Sequence, residues 1–123
     1  MKRRQQMWTW AGILFLLATG VIHLVAAPDA FQEAAYKGWL FYANSAGALL
    51  AAIGIYARQR LAWFLGLAVT FGAIAGYVAS RTIGLPMIPP EPNAWFEPLG
   101  VLSLVAEFGF MIIMFLAWRN RQV

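Results

Sequence analysis

The sequence predicts an all-α fold, a four-transmembrane-helix bundle formed by a single integral membrane domain. Of its 123 residues, 62% are hydrophobic and 11% are charged, whereas a soluble domain averages about half apolar and about a quarter charged. The apolar residues form four runs close to the ~20 residues that a helix needs to cross a bilayer. No run alternates with period two, which argues against a transmembrane barrel. The predicted spans are 7–27, 38–57, 61–80 and 98–118.

The first span begins after three basic residues, a pattern shared with secretory signal peptides. Its apolar stretch is longer than the ~7–15 residues typical of a signal peptide. Val25-Ala26-Ala27 followed by Pro28 is also a poor cleavage site. We therefore expect an uncleaved first helix.

The link at 28–37, after the first span, contains features of a short helix. Pro28 suits a first helical position, with acidic residues in the turn that follows. Glu33 and Lys37 form an i,i+4 pair in the favourable order. We expect this segment to be a short interfacial helix lying flat at the membrane surface.

The other two links differ sharply in length. Residues 58–60, Arg-Gln-Arg, form a tight basic turn. The segment 80–93 holds four of the six prolines, so it cannot be a regular helix, because each proline lacks an N–H donor. Since it also carries Ile83, Leu85, Met87 and Ile88, we predict a Pro-rich cap folded back over the bundle, with the third span ending near Arg81.

The basic residues predict the orientation of the chain in the membrane. In a four-span arrangement, seven of the nine basic residues lie on one side of the membrane. The other two lie on the opposite side, together with all the acidic residues of the links. This bias predicts that both termini are cytoplasmic in a multi-pass membrane protein. The basic charge then reflects contact with the lipid bilayer and not with nucleic acid. The seven residues are Lys2, Arg3, Arg4, Arg58, Arg60, Arg119 and Arg121.

Glu107 is the only formal charge inside the four apolar runs. A carboxylate at that depth costs several kcal/mol in lipid, so it should face the bundle interior, a partner or a wet cavity. Helical phase places Ser103 on the same stripe. The inward stripe of the first span is Gly12, Leu16, Thr19 and His23.

Depth along each span predicts which polar side chains meet. At 1.5 Å per residue, His23, Asn44 and Glu107 lie about 6, 9 and 12–15 Å below the outer surface. We therefore predict a buried polar cluster beneath an outer cap. Such a cluster could bind a cation or pass a proton. The predicted cluster is His23, Asn44, Ser103, Glu107 and Tyr77, and the residues of the outer cap are Arg81, Glu97 and Glu33.

Each of these residues also has a purely structural interpretation. Glu107 could be a protonated acid bonded to Ser103 or Asn44 that only maintains helix register. His23 could donate to a neighbouring carbonyl group. Arg81 and Glu97 could be an ion pair that holds the third link in place.

One set of motifs extends along nearly the whole chain. It consists of His23-Leu24, Ala27-Pro28, Phe31, Glu33, Tyr36, Gly38, Phe41, the segment from Ser80 to Pro86, Glu97, Gly100 and Glu107. These motifs resemble those of a family of small four-helix bacterial membrane proteins. The resemblance implies fold and topology, in a multi-pass protein of the bacterial cytoplasmic (inner) membrane, and no activity. Two departures from the family pattern, Asp29-Ala30 in place of a Glu-His pair and Ser103 in place of an Asp, weaken a shared metal site.

The sequence favours a protein without catalytic machinery. It has no cysteine, no nucleophile–base pair, no phosphate-binding loop and no metal motif, so no catalytic or metal-ligating residue is assigned and the cofactor stays unknown. Small chains of this kind are frequently accessory subunits of larger membrane complexes. The alternative is a small oligomeric binding or permeation module for a cation, a proton or an apolar small molecule. Its partners would be other membrane subunits or further copies of itself.

Overall fold

The computed structural model describes residues 3–120 and is helical almost throughout. The helices are α1 (Arg3–Glu33), α2 (Ala35–Tyr56), α3 (Arg60–Arg81) and α4 (Pro98–Arg119). All four are long and apolar enough to cross a membrane, which confirms the prediction of four apolar helices. Lys2 and Arg121, which contribute to the predicted orientation, lie outside the described residues.

The helices form an up-and-down bundle in which each packs against its neighbour in sequence and α1 also packs against α4. The start of α1 meets the end of α2, where the rings of Trp10 and Tyr56 are 5.9 Å apart. The start of α3 meets the end of α4 through Phe64 and Trp118, 5.3 Å apart. We call this the basic end, and the opposite one the cap end. The described basic residues at the basic end are Arg3, Arg4, Arg58, Arg60 and Arg119.

The separate interfacial helix predicted for residues 28–37 is not present. Instead, α1 continues through Pro28 to Glu33, and only Ala34 is extended, with φ −166° and ψ 143°, before α2 begins. Proline removes one backbone donor, and this loss is tolerated in a helix whose neighbouring turn is held by packing. Ala27 and Ala30, on either side of Pro28, are both buried.

The turn between α2 and α3 is as short as predicted. The N–H of Gln59 donates to the carbonyl of Gly54 at 2.8 Å, and that of Arg58 donates to Ile55 at 3.0 Å. This pair of bonds is the Schellman motif that ends many helices. Its left-handed position, usually glycine, is Arg58 with φ 60°, a conformation that costs a side-chain-bearing residue about 1 kcal/mol.

The link between α3 and α4 is tied to the cap end by backbone and side-chain hydrogen bonds. Leu85 and Ile88 exchange two backbone bonds around a tight turn, and the N–H of Glu91 donates to the carbonyl of Ser80 at 2.9 Å. The Tyr36 hydroxyl, at the start of α2, donates to the carbonyl of Pro86.

The apolar residues of this link do not all pack onto the bundle as expected. Ile88 is buried, but Ile83 and Met87 are exposed, Met87 by 93%. Met87 occupies the turn position with φ 64°, which directs its side chain away from the helices. The cap therefore rests on one buried side chain and on hydrogen bonds.

The hydrophobic core occupies the half of the bundle nearer the basic end. Phe110 of α4 is fully buried and stacks on Trp63 of α3, with ring centroids 5.7 Å apart and planes at 22°. Both rings lie against glycines, because a Cβ on Gly12 would lie 2.9 Å from Trp63 and one on Gly66 would lie 2.5 Å from Phe110. The other buried members are Ile13, Leu16, Ala51, Ala52, Ile55, Ala62, Met114 and Ala117.

Candidate functional site

The Glu107 carboxylate is enclosed in the bundle, on the cap side of the hydrophobic core. The residue is 1% exposed and points from α4 towards α1. It therefore faces the bundle interior, one of the three environments that its depth in the apolar run predicted.

Two hydroxyl groups from different helices stabilise this carboxylate. The hydroxyl of Thr19 on α1 donates to Oε2 of Glu107 at 2.7 Å. The hydroxyl of Ser103, one turn before Glu107 on α4, donates to the same oxygen at 2.5 Å. Hydrogen bonds to an ionised group are shorter and stronger than neutral ones, so these two compensate part of the cost of burying the carboxylate.

His23 is the nearest titratable side chain to Glu107. Its Nδ1 lies 2.9 Å from the carbonyl oxygen of Thr19. A carbonyl oxygen can only accept, so Nδ1 carries the hydrogen of the neutral ring. The other nitrogen, Nε2, then carries the lone pair of the neutral ring and lies 4.0 Å from Oε2 of Glu107.

The ring of His23 has an aromatic neighbour, and the residue keeps a small exposed surface. The ring of Phe41 on α2 meets it edge to face, with centroids 5.0 Å apart. His23 and Ser103 keep small exposed fractions, 8% and 7%, whereas Thr19 and Glu107 have almost none. His23 is thus the titratable member of the site with the larger exposed surface.

A second polar group lies beyond the site, at the cap end. The guanidinium group of Arg81 lies 3.8 Å from the centroid of the Tyr77 ring and 3.8 Å from the carboxylate of Glu97. It also donates to the Ser80 hydroxyl at 2.7 Å and to the Ala94 carbonyl at 3.3 Å. Arg81 thereby joins the end of α3 to the link and to the start of α4.

The structure brings together three of the five residues predicted for the polar cluster: His23, Ser103 and Glu107. Tyr77 lies nearer the cap end, where its hydroxyl donates to the carbonyl of Trp95. Asn44 lies between α2 and α3 and donates to the carbonyl of Val69 at 3.1 Å.

Within residues 3–120, the side-chain oxygen of Asn44 is buried without a hydrogen-bond partner. Asn44 therefore contributes to the contact between α2 and α3, and the hydrogen bonds around Glu107 come from other residues.

Thr19 contacts Glu107 in the structure but was not among the residues predicted for the cluster. It lies on the inward stripe of the first span, four residues before His23, as Ser103 lies four residues before Glu107. This repeated spacing, a hydroxyl one turn from an ionisable group on two helices, is the signal that could have identified it.

The third residue assigned to the cap, Glu33, belongs to a separate charged group at the junction of α1 and α2. It forms an ion pair with Lys37. The pKa of Glu91 in the link is raised, chiefly by a hydrogen bond with the Glu33 carboxyl and then by partial burial. Glu91 therefore keeps its proton to a higher pH than an isolated glutamate does.

Within the described part of the chain, no three His, Asp or Glu side chains are grouped closely enough to hold a metal ion. Comparisons with protein families, with characterised proteins and with solved structures find no match for this chain. The resemblance to small four-helix bacterial membrane proteins therefore stays a prediction.

Proposed function

We propose that this protein is a non-catalytic, multi-pass protein of the bacterial cytoplasmic membrane, with both ends of the chain in the cytoplasm. Its function is to bind a proton or a small monovalent cation at Glu107 and His23. The described arginines at the basic end support this orientation, because loops rich in Lys and Arg stay on the cytoplasmic side.

The environment of Glu107 carries the proposal. An ionisable group inside a membrane helix is expensive, and such groups commonly mark routes or sites for protons and ions. Here, two hydroxyls are directed at one oxygen of Glu107, and an imidazole nitrogen lies 4.0 Å away. Because Glu107 is enclosed, it is not placed to contact a partner subunit through the lipid.

This proposal can be tested by acid–base titration and by cation-binding measurements on purified protein in lipid nanodiscs. The compared proteins are wild type, Glu107→Gln and, as a matched control, Glu97→Gln at an exposed carboxylate of the cap end. We expect wild type and Glu97→Gln to exchange a proton or bind Na⁺ or K⁺ at one site that Glu107→Gln lacks. Identical titrations and identical cation binding in all three proteins would refute the proposal.

A second candidate function, an accessory subunit of a larger membrane complex, is favoured by two glycines on α3. A Cβ at Gly72 or Gly76 would meet nothing within 4 Å. Glycine weakens a helix by about 1 kcal/mol relative to alanine, and its spacing of four residues is used in membranes where another helix approaches closely. This face of α3 could therefore contact another membrane helix, from a different subunit or from a second copy.

Disulfide crosslinking can distinguish the two kinds of partner, because the chain contains no cysteine. A Gly76→Cys variant would crosslink to itself in the membrane if the partner is a second copy. Native mass measurement after gentle extraction would show larger subunits if the partner is a different protein. A monomer in both experiments excludes the subunit function.

A further inference from the structure

We propose that the species bound at Glu107 is a proton, that it is exchanged with the cap side through His23, and that a single chain does not pass it on to the basic end. This inference rests on the proposed function and specifies its ligand and its direction. It follows from the arrangement of donors and acceptors around Oε2 and from the different composition of the two halves of the bundle.

The hydrogen bonds around His23 and Glu107 account for every polar hydrogen of the two side chains and their hydroxyl partners, and none lies between His23 and Glu107. Nδ1 of His23 donates to Thr19, and both hydroxyls donate to Oε2. Nε2 and Oε2 then lie 4.0 Å apart with no hydrogen between them. A proton on either atom makes the contact attractive, and a shift of about 1 Å would bring the 4.0 Å separation to hydrogen-bond length.

The transfer balances without any further reactant. A water molecule at the exposed part of His23 gives a proton to Nε2, which forms an imidazolium ion with hydrogens on both nitrogens. The Nε2–H bond then breaks as an Oε2–H bond forms on Glu107, and one of the two hydroxyls turns its hydrogen away, because Oε2 has only two lone-pair sites. The imidazole returns to its starting tautomer, because Nδ1 keeps its hydrogen bond to Thr19, and the carboxylate becomes a neutral acid. The reverse steps release the proton.

Along α4, within the described residues, the polar side chain nearest to Glu107 lies on its cap side. Ser103 lies one turn from Glu107 on α4, and Gly100 lies nearly one turn further. A Cβ on Gly100 would lie 3.1 Å from the Tyr77 hydroxyl and 3.3 Å from the Arg81 guanidinium. Tyr77 and Arg81 are thus the titratable and charged groups of α3 that lie against Gly100, which is about 10 Å from Glu107 along the axis of α4 at 1.5 Å per residue.

Towards the basic end, the next layer is apolar. Phe110, Leu16 and Trp63 are all buried there, and the first two have no exposed surface. Phe110 stacks on Trp63 and fills the space above Gly66. A proton needs hydrogen-bonding groups along its path, so this layer closes the site on that side.

Infrared spectroscopy on oriented proteoliposomes tests the inference, because a protonated carboxyl has its own C=O stretching band. With ¹³C-labelled glutamate, we expect a band that follows the pH of the cap side. It should be absent in Glu107→Gln and retained in Glu97→Gln. In His23→Gln the band should respond more slowly, on the order of a hundredfold, the contribution of a positioned proton-transfer group.

The alternative outcomes separate the inference from the proposed function. If Na⁺ or K⁺ removes the band at constant pH, the site binds a cation, so the proposed function stands and the inference fails. A band that follows the pH of the basic side, or an unchanged rate in His23→Gln, also overturns the inference. If no band is sensitive to Glu107, the inference fails, and the proposed function fails with it if cation binding is also identical in wild type and Glu107→Gln. Should Glu107→Gln not fold, Ser103→Ala replaces it, because loss of one donor must shift the band of Glu107 alone.

Discussion

The hydroxyl of Thr19 donates to the carboxylate of Glu107 over 2.7 Å, and so joins α1 to α4 across 88 residues of sequence. Both residues are almost completely buried. Inside a membrane bundle, water is not at hand to replace a lost donor. The contact is therefore both a structural link between two helices and part of the proposed proton site.

Replacing Thr19 with valine should destabilise the protein. Valine has a similar shape but no hydroxyl, so Glu107 loses a donor and the cost should be about 1–3 kcal/mol. Thr19→Ser keeps the hydroxyl and should lose less. Unfolding of both variants in detergent measures the difference. Equal stability of Thr19→Val and wild type would mean that this bond contributes nothing.

Phe110→Ala should open a cavity in the core. The ring is fully buried between Trp63 and Gly66, and truncation of a buried aromatic side chain typically costs about 3–5 kcal/mol. The matched control is Phe108→Ala on the same helix, where the ring is 49% exposed. We expect a much smaller effect there in a thermal unfolding assay. Comparable losses in the two variants would contradict the packing described for Phe110.

Two glycines on α3 should respond oppositely to alanine. In Gly66→Ala, the new Cβ would lie 2.5 Å from Phe110, and such overpacking typically costs about 1–3 kcal/mol. In Gly72→Ala, the Cβ enters open space, so the helix should gain up to about 1 kcal/mol. Unfolding in detergent compares them. Destabilisation by Gly72→Ala would instead indicate a helix packed against that face.

The attachment of the cap should weaken as pH rises. The pKa of Glu91 is raised above 4.5 in the folded protein, so the folded state binds more protons than the unfolded one and is favoured at low pH. This contribution is complete below the ordinary glutamate pKa and disappears as pH rises through the raised value. Glu91→Gln should remove the pH dependence.

A spin label at Met87→Cys can report on this change, since the residue is exposed at the tip of the turn and the chain has no other cysteine. We expect label mobility to increase with pH in the otherwise unchanged protein and to be constant in the Glu91→Gln background. A pH response that persists in that background would assign the effect to another group.

Arg58→Gly should stabilise the turn between α2 and α3. Arg58 has φ 60°, and relief of this left-handed strain should be worth about 1 kcal/mol. Arg60→Gly, two residues later in the first turn of α3, also removes one positive charge but weakens a helix. The two variants should therefore shift the unfolding midpoint in opposite directions. A loss of stability in Arg58→Gly would show that its side chain has a role the backbone geometry does not reveal.

Hydropathy and helical phase were sufficient for much of the fold. They predicted four helices, the tight turn at residues 58–60 and the end of α3 at Arg81. They did not predict the path of the chain after Pro28, because a proline suits both the start of a helix and its interior when packing holds the surrounding turns.

The candidate site was predictable only in part. Phase placed His23, Ser103 and Glu107 on inward stripes, and the structure brings these together. Asn44 was expected at a similar depth, but depth does not say which neighbour a side chain meets. Its partner is the Val69 carbonyl on α3, and Thr19 takes the place beside Glu107.

By itself, the sequence determined that the chain forms four apolar helices and that Glu107 is too costly to leave in contact with lipid. Only the tertiary structure decided that Thr19 and Ser103 donate to one oxygen of Glu107 and that Nε2 of His23 lies near that oxygen. It also decided that Ser103 lies on the cap side of Glu107, whereas Phe110 and Trp63 form an apolar layer on the side of the basic end. The reason is physical. Burial costs and helical periodicity are local properties of a segment, whereas a hydrogen-bond partner depends on the rotation and height at which two helices pack.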